Sequence, residues 1–416
     1  MSALKMESKQ KTIVVVAVVT AFSLLGDSML YIVLPIYWKE VGLDSLWQVG
    51  VLLSINRFIR LPFNPLVGWL YQTLPLRTGL MIAVVLGAIA TLGYSVAKGF
   101  IAWLILRGLW GIAWSFFRIG GLSTVVYYAD ENGRGKSMGL YNGVYRLGSL
   151  FGMLFGGILV PVIGIHYVAG LFGCLAFLGL PLLMIAFRDK NENKQHEYKK
   201  QNIILTQTQN ASYKASIIIS GFFITVFIQG VFIATLSFIM ERYYGKEVSV
   251  FGVVMSVTFL SGLIQSVRWG WEPYLASRFG HWSDGPKGRL PLYVIALVFV
   301  GLTFGMVSMN IWLPMWIVIT LGVMLGATAL TTLTDTLASD VAKTTNVVSF
   351  LTIYSIVLDI GAAVGPVISY VLITVDKGLM YLYWSGTGTF LLLAGFWLVV
   401  YVNKKKTSVI EGAYNG

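Results

Sequence analysis

The chain has few charged residues and only one cysteine. Aspartate, glutamate, lysine and arginine make up 12% of its 416 residues, whereas soluble globular proteins carry about 25%. Cys174 stands alone, so it cannot form a disulfide within the chain, and core filling is favoured over redox chemistry. The shortage of charge argues against an ordinary soluble domain.

Motifs of soluble enzymes are also missing. The sequence contains no GxxxxGK[ST] loop, no HExxH and no paired CxxC, and the three histidines, His166, His196 and His281, lie in loops or at helix ends. An ATP-driven pump domain and a metal-centred enzyme are therefore not expected. The sequence predicts a protein that is not an enzyme, with no metal and no cofactor.

Long apolar runs are abundant instead. Hydrophobic residues make up 56% of the chain, and the mean hydropathy is +0.76. Runs of about 20 apolar residues cross a membrane as helices. We predict an all-α membrane protein with twelve transmembrane helices. The predicted segments are 12–37, 46–70, 78–97, 100–128, 135–163, 165–187, 215–240, 248–279, 290–309, 311–338, 345–374 and 378–402.

The net charge of +12 could suggest a nucleic-acid partner, but its distribution argues against one. With both termini in the cytoplasm, nineteen lysines and arginines fall in cytoplasmic segments and five in external loops. The five are Lys39, Lys98, Arg242, Lys246 and Lys377. This is the positive-inside bias of a multi-pass membrane protein. We expect a monomer in the plasma membrane of a bacterium, with lipid bilayer and a small-molecule substrate as partners and no nucleic acid.

One long polar segment divides the chain into halves. It follows the sixth apolar segment and reads RDKNENKQHEYKKQNIILTQTQNASYK. The predicted organisation is an N-terminal six-helix bundle over 1–187, a cytoplasmic linker over 188–214, a C-terminal six-helix bundle over 215–402, and a cytoplasmic tail over 403–416.

Glycine patterns recur at a nearly constant interval. GSLFGMLFGG begins at Gly148 and GAAVGP at Gly361, an interval of 213, and the loops that start at Gly68 and Gly280 are 212 apart. The segments 46–54 and 248–256 also look alike, but their interval is 202, so the eighth helix should carry about ten extra residues. Such duplication in an apolar chain is typical of secondary transporters, with two pseudo-symmetric bundles.

Several motifs make the chain resemble the major facilitator superfamily over essentially its full length. Gly148, Gly152, Gly156 and Gly157 match the family's fifth-helix glycine pattern, with Met153 where proline is usual. The resemblance implies export, because that pattern is associated with exporters. Close packing of helices explains the glycines equally well without any role in transport direction.

Other motifs of the family assign gating and coupling roles. The loop GHWSDGPKGR resembles the family's cytoplasmic gating loop through Gly280, Asp284, Gly288 and Arg289. The first-half loop keeps Gly68 and Arg77 but has Gln72 where aspartate is expected. Leu104, Arg107 and Gly111 match the fourth-helix motif, and Asp27, Leu34 and Pro35 loosely resemble the acidic first-helix motif of drug and proton antiporters. The resemblance implies gating by the loops and by the fifth-helix glycines.

Charges inside apolar segments cost about 2.5–3.5 kcal/mol each and mark functional sites. Six arginines and four acids lie in or near the segments: Arg57, Arg60, Arg107, Arg118, Arg146, Arg268, Asp27, Glu272, Asp335 and Asp359. We predict Asp27 as the main proton site, Asp359 or Glu272 as further candidates, and Arg107 as the cation that tunes it. Arg268 and Glu272, at i and i+4, could equally be a structural ion pair. Arg118 and Asp335 lie near cytoplasmic helix ends and could simply be exposed to water.

The excess of cations favours a substrate with an anionic or zwitterionic group and an aromatic or apolar body. The predicted substrate-binding residues are Arg57, Arg60, Asn64, Trp110, Trp114, Asn142, Arg146 and Tyr354. Arg57 and Arg60 could instead snorkel or pair near helix ends. By duplication Arg146 and Asp359 take equivalent depths, because each precedes its glycine motif by two residues.

These inferences together predict a proton-coupled exporter of a siderophore-like metabolite that works by alternating access and is driven by the proton gradient. A multidrug exporter, an importer of the same fold, a lipid or glycolipid flippase and a non-transporting receptor remain alternatives. Sequence alone does not choose the substrate.

Overall fold

The computed structural model describes residues 2–129, 134–187, 211–250, 252–283, 289–342 and 347–414, and these are almost entirely helical. The helices are α1 (Ser2–Tyr37), α2 (Leu46–Leu70), α3 (Leu76–Gly93), α4 (Phe100–Tyr128), α5 (Arg134–Ile163), α6 (Ile165–Phe177), α7 (Gly179–Ala186), α8 (Ala211–Ile224), α9 (Ile233–Tyr244), α10 (Val257–Ser283), α11 (Arg289–Phe304), α12 (Leu313–Ala342), α13 (Val347–Ile373) and α14 (Gly378–Tyr414). A π-helical segment, Thr225–Phe232, joins α8 to α9, and a 3₁₀ turn, Gly305–Ser308, follows α11. The prediction of an all-α membrane protein is confirmed.

Within the described residues, ten helical segments are long and apolar enough to cross a membrane. The ten do not include α2 and α10. Polar residues interrupt both helices, Asn56 and Arg60 in α2 and Gln265, Arg268 and Glu272 in α10. These polar and charged residues lower the hydropathy of α2 and α10.

The eighth predicted helix begins nine residues later than expected, since α10 starts at Val257. The strands β1 (Glu247–Val250) and β2 (Val253–Ser256) pair as an antiparallel hairpin before it, and Gly252 has a φ of 81°. The expected likeness of 46–54 to 248–256 is therefore wrong, because the first segment is helical and the second is a hairpin. Helices α2 and α10 start 211 residues apart (257 − 46). This agrees with the intervals of 212 and 213, so the extra residues are the hairpin and not a longer helix.

The chain packs into two compact units. The first comprises Met1–Gln201, Ile233–Gly270 and Pro366–Val371, and the second comprises Asn202–Phe232, Trp271–Gly365 and Leu372–Gly416. In the first unit α1 is central, packing on α3, α4, α5, α6, α7 and α9. Its core includes Val16, Leu80, Val84, Phe117 and Leu183, all at most 1% exposed. The predicted bundles over 1–187 and 215–402 stay a prediction.

In the second unit, α11 packs on α12 and α14, and α8 packs on the same two helices. Aromatic rings fill this core, with Phe304 stacked on Tyr383 at 4.8 Å between ring centroids and edge-on to Phe390 at 5.4 Å. Trp316 and Trp397 are completely buried. Their indole N–H groups are satisfied internally, by the carbonyl of Val307 and the hydroxyl of Ser220.

Candidate functional site

The glycines of α5 bring its backbone against α1. A Cβ placed on Gly152 would lie 2.5 Å from the carbonyl oxygen of Leu25, and one on Gly156 would lie 2.5 Å from the Cβ of Met29. Gly148 lies closer still to the backbone carbonyl oxygen of Ala21. Spacing of four keeps the three glycines on one helix face. The prediction that they permit close helix packing is confirmed, while their role in gating stays a prediction.

The second unit repeats this crossing between α13 and the α8 region. A Cβ on Gly361 would lie 2.9 Å from the carbonyl oxygen of Phe222, and one on Gly365 would lie 2.7 Å from that of Val226. Gly365 also meets the backbone of Gly230 in the π-helical segment. The glycine pattern that recurs in the sequence thus makes the same kind of close helix–helix contact in both units.

Gly157 lies on another face of α5 and permits a close contact with α10. A Cβ there would lie 2.7 Å from the carbonyl oxygen of Thr258 at the start of α10. In return, one on Gly262 would lie 2.5 Å from the carbonyl oxygen of Met153. Met153, which replaces the usual proline, therefore lies at this α5–α10 crossing. The fifth-helix motif packs on two partners, α1 and α10.

The strongest electrostatic feature of the first unit is a buried ion pair between α1 and α4. The Nη1 of Arg107 donates to Oδ1 of Asp27. Arg107 is fully buried, and Asp27 is 6% exposed. The Nε of Arg107 donates to the carbonyl oxygen of Leu52 on α2 at 2.9 Å. The structure therefore brings together the two residues that the sequence predicted as the main proton site and its cation.

A third residue, Asn56 on α2, completes this centre and was not predicted. Its Nδ2 donates to Oδ1 of Asp27 at 3.3 Å. The backbone of Asn56 comes this close to α4 because Gly111 lacks a side chain; a Cβ there would lie 2.5 Å from the Asn56 carbonyl oxygen. Asn56, Arg60 and Asn64 repeat at intervals of four, a signal from which this residue could have been found.

The arginines of α2 differ in burial. Arg60 is 8% exposed, while Arg57 and Asn64 are half-buried. Within the described part of the chain, Arg57 forms no hydrogen bond or ion pair, and the buried Oδ1 of Asn64 accepts none. The three predicted substrate residues on α2, Arg57, Arg60 and Asn64, thus differ in their surroundings.

Aromatic rings form a continuous row from α4 to α5. Trp110 stacks on Trp114 at 5.7 Å between centroids, Trp114 meets Tyr145 edge-on at 6.0 Å, and Tyr145 contacts Tyr141 at 5.2 Å. The Nε1 of Trp110 is buried and donates to none of the described residues. The predicted substrate residues Trp110 and Trp114 lie together, and Asn142 is half-buried on α5 in the same unit.

Arg146 follows Tyr145 on α5 and reaches an aromatic ring of α10. Its Cζ lies 5.8 Å from the centroid of Trp269, and that of Arg268 lies 5.7 Å from the same centroid. Arg146 belongs to the first unit and Asp359 to the second. The expected juxtaposition of Arg146 and Asp359 therefore stays a prediction.

The second unit holds the two further candidate proton sites, Asp359 and Glu272, and also Asp335, to which the sequence analysis gave no functional role. Asp359 and Glu272 are half-buried. Tyr354 is 5% exposed and donates from its hydroxyl to Oδ1 of the exposed Asp335 at 2.8 Å. The carboxylate of Asp335 is therefore held in place by a predicted substrate residue.

The expected gating loops are described in part. Asp284 and Gly288, which the sequence analysis placed in the gating loop, lie outside the described residues. Arg289 donates from Nε to Oδ2 of Asp340, the end of α12, at 2.9 Å, a partner that was not predicted. Gly280 has no neighbour within 4 Å of an added Cβ, and Gly68 has Ile119 at 4.0 Å. Arg77 is half-buried at the start of α3. Their gating roles stay predictions.

Fold and buried charges together define a multi-pass membrane protein with a charged centre among its helices. The Major Facilitator Superfamily model matches residues 16–283. This is more than half of the chain, so the protein belongs to the Major Facilitator Superfamily.

Among individual relatives, Multidrug resistance protein MdtG of Salmonella arizonae is 25% identical over 280 residues, 65% of this chain and 67% of the relative. The chromaffin granule amine transporter of Homo sapiens is 29% identical over 138 residues, 33% of this chain and 26% of the relative. The synaptic vesicular amine transporter of Bos taurus is 30% identical over 122 residues, 28% of this chain and 23% of the relative. The matches thus span about a quarter of the amine transporters. Two of these three relatives are named as transporters.

Solved structures share the fold. A bacterial homolog of the human lysosomal transporter Spinster, inward-facing and unoccupied, gives a TM-score of 0.71 at 13% identity and covers 95% of each chain. A POT family transporter in complex with 5-aminolevulinic acid gives 0.75 at 12% identity, covering 94% of this chain and 96% of that one. At such identities these neighbours support the fold alone.

Proposed function

We propose that the protein is a proton-coupled exporter of a small organic molecule that carries an anionic or zwitterionic group, such as a siderophore-like metabolite. The observation that carries the proposal is the buried centre of Asp27, Arg107 and Asn56, which joins three helices through one carboxylate. An ionisable group buried in a membrane helix marks a proton or ion pathway by default.

The centre suggests how a proton could change the packing of helices. With Asp27 ionised, its carboxylate holds Arg107 of α4 and Asn56 of α2. Protonation removes the charge that pairs with Arg107 and leaves that side chain its bond to the carbonyl of Leu52. The neutral acid binds both partners less strongly. Proton binding would thus loosen α1 from α2 and α4 and favour the alternate arrangement of the helices.

The proposed substrate class follows from other residues of the first unit. The row of Trp110, Trp114, Tyr145 and Tyr141 offers ring faces to an aromatic or apolar body. Arg57, Arg60 and Arg146 add positive charge to the same unit. Guanidinium groups pair well with carboxylate or catecholate oxygens, so an organic anion is favoured.

For the whole molecule we propose twelve membrane-crossing helices in two pseudo-symmetric six-helix bundles, with both termini in the cytoplasm of a bacterium. The proton gradient is the driving force, no cofactor takes part, and the protein acts as a monomer in the plasma membrane. The two bundles would rock about a site at the membrane midplane.

Two experiments test export and coupling. Extracellular and intracellular metabolites of a deletion strain should differ from those of its parent, with an organic anion accumulating inside the deletion strain during iron limitation. In inverted vesicles, addition of that metabolite should release protons, and Asp27→Asn should abolish the release. Asp376→Asn, at an exposed loop position, is the matched control and should leave it unchanged. If no metabolite accumulates inside the deletion strain under any iron or drug condition, the proposed export is refuted.

A multidrug exporter is the second candidate. The match to Multidrug resistance protein MdtG over 65% of the chain favours it, and the exposed carboxylate of Asp335 could bind a cationic drug. Cells that overproduce the protein would then expel ethidium, and Asp335→Asn would slow that efflux. An importer would instead load energised right-side-out vesicles, and a flippase would move lipid headgroups between leaflets of liposomes.

A further inference from the structure

The ring of Tyr94 lies along the face of α4 that carries Arg107. Tyr94 follows the last residue of α3 and is fully buried. Its ring stacks on that of Trp103, with the centroids 4.7 Å apart and the planes 7° from parallel. Trp103 and Arg107 are four residues apart and therefore share one face of α4. The Nδ1 of His166 on α6 contacts the backbone carbonyl oxygen of Tyr94 at 3.1 Å. The tyrosine is thus held beside the helix turn from which the guanidinium projects.

The hydroxyl of Tyr94 lies near Arg107 and Asp27, close enough for an electrostatic interaction with each. It is nevertheless outside hydrogen-bond geometry, because it is buried with no hydrogen-bond partner among the described residues. The Nη2 of Arg107 is in the same condition. The other two nitrogens of the guanidinium are occupied, Nη1 by Asp27 and Nε by the carbonyl oxygen of Leu52. A donor and an acceptor near each other therefore both stay unused, although buried polar groups without a hydrogen bond are unfavourable.

The groups around this guanidinium come from several elements. Among the described residues, the titratable ones that interact with it are Asp27 and Tyr31 on α1 and Tyr94 at the end of α3. Helix α2 contributes a neutral group, the carbonyl of Leu52. Asp27 is the one negative charge in this set, so its neutralisation leaves the fully buried Arg107 with neutral acceptors alone. Of the two tyrosines, Tyr94 has the buried hydroxyl without a hydrogen bond.

We infer that Tyr94 is a positioning residue of the proposed proton centre, whose hydroxyl oxygen accepts a hydrogen bond from Arg107 when Asp27 is neutral. Arginine keeps its charge inside proteins, so a neutral Asp27 leaves a buried cation that needs an acceptor. The hydroxyl of Tyr94 is near, stacking holds its ring in place, and it gives up no hydrogen bond to another described residue. Proton binding on α1 is thus converted into a movement of an α4 side chain toward the end of α3. The inference rests on the proposed proton site and assigns the group that receives Arg107.

Thermal unfolding of the full-length protein in phosphatidylcholine nanodiscs tests this exchange by a double-mutant cycle. Tyr94→Phe removes only the hydroxyl and keeps the ring that stacks on Trp103. In the wild type it should not lower the unfolding temperature, because the hydroxyl has no hydrogen bond there. In Asp27→Asn, which mimics the neutral acid, the same change should lower the unfolding temperature by about 2–4 °C, the shift expected for one lost hydrogen bond. Equal effects in the two backgrounds would overturn the inference.

A second tyrosine of the first unit is the matched control. Tyr370 is also fully buried, but its hydroxyl donates to the carbonyl oxygen of Ala234 at 2.7 Å. Tyr370→Phe should therefore lower the unfolding temperature by a similar amount in the wild type and in Asp27→Asn. A loss at Tyr370 that appears only in Asp27→Asn would show that any buried tyrosine responds to the missing acid, and would overturn the assignment.

A spectroscopic signature separates positioning of the guanidinium from a purely structural role. In protein with isotope-labelled arginine, the Nε–H resonance of Arg107 is identified by its absence from the spectrum of Arg107→Lys. Tyr94→Phe should leave this resonance in place in the wild type and shift it in Asp27→Asn. If Asp27→Asn does not fold, Asp27→Leu provides the neutral background for both measurements. A resonance that Tyr94→Phe leaves unchanged in both backgrounds would refute the exchange.

Two further comparisons separate this inference from its alternatives. Tyr31→Phe should have the same effect in both backgrounds; a loss that depends on Asp27 there, and none at Tyr94, would transfer the role to Tyr31 and overturn the inference. Neither measurement needs a substrate or a proton gradient. Coupling between Tyr94 and Asp27 without proton-coupled export would therefore refute the proposed function and leave the role of Tyr94 standing. Export that depends on Asp27 with no coupling to Tyr94 would do the reverse.

Discussion

At the scale of single residues, one carboxylate organises the first unit. Asp27 is reached by Arg107 from α4 and by Asn56 from α2. Arg107 neutralises the buried charge of Asp27, and Asn56 donates a hydrogen bond to the same carboxylate. Without these partners the carboxylate would be buried without compensation. The pair therefore has a structural role in addition to its proposed role in proton coupling, and stability measurements can separate the two.

Removal of one member of this pair should destabilise the protein more than removal of both. Arg107→Leu leaves a buried carboxylate without its cation, which costs about 3–5 kcal/mol. The double variant Asp27→Leu with Arg107→Leu leaves neither charge and should recover part of that loss. Thermal unfolding in detergent, followed by fluorescence for the wild type, Asp27→Leu, Arg107→Leu and the double variant, measures the coupling between the two sites. Additive effects of the two single changes would contradict it.

The residue scale also shows where sequence reasoning succeeds and where it stops. Asp27 and Arg107 could be selected because each is charged in a long apolar run, and the cost of burial makes such residues conspicuous. Asn56 is uncharged, lies beside the more conspicuous Arg57, and received no role. Asp340 was missed as the partner of Arg289 because the gating-loop motif directs attention to Asp284. Which residues pair across a long sequence separation depends on how the helices pack, and the motifs and composition of the chain do not reveal that packing.

At the scale of helices, glycine sets how closely α5 can approach α1. The contact is with backbone carbonyl oxygens, which cannot rotate away as a side chain can. Gly152→Val should therefore lower the unfolding temperature strongly and reduce the yield of folded protein, with an overpacking cost of at least about 1–3 kcal/mol. Thermal unfolding after purification measures it.

The same helix supplies the control for this change. Gly143 lies on α5 with no neighbour within 4 Å of an added Cβ. Gly143→Val should fold nearly as well as the wild type. Equal losses at Gly143 and Gly152 would mean that helix propensity, and not close packing, explains the effect.

The hairpin of β1 and β2 is an insertion that the rest of the fold tolerates. The N–H of Val257 donates to the carbonyl oxygen of Lys246 at 2.9 Å, so the chain leaves and returns at one place. Replacing residues 247–256 by Asn-Gly would turn that bond into the i to i+3 bond of a β-turn. The shortened protein should fold, losing no more than the contribution of the buried Val248, about 1.5–3 kcal/mol. Circular dichroism and thermal unfolding check this, and failure to fold would show that the hairpin is integral.

Element positions were predicted well where apolar length decides them. The predicted segments 46–70 and 100–128 coincide with α2 and α4. The eighth segment was wrong because its first part, VSVFGVVMS, is apolar enough to pass for helix. Valines on both sides of Gly252 are the pattern of a hairpin, which a search for apolar runs of membrane length does not detect.

At the scale of the whole molecule, the orientation in the membrane is the prediction that most needs a direct test. The exposed Thr73 and Lys98 lie near opposite ends of α3. With Cys174 replaced by alanine, an impermeant maleimide should label Lys98→Cys in intact cells. Thr73→Cys should react only in inverted vesicles. The reverse labelling would place both termini outside and would invert the proposed direction of transport.

The π-helical segment Thr225–Phe232 has a consequence for the history of the molecule. Ala21 and Phe222, whose carbonyls lie against Gly148 and Gly361, are 201 residues apart, and so are Leu25 and Val226. A π turn is how a helix absorbs one inserted residue, so the two copies fall out of step just beyond these contacts. The counterpart of Asp27 is then Ile228 or Gln229, and neither is acidic. If the two halves arose by duplication, only the first half has an acidic residue at this position.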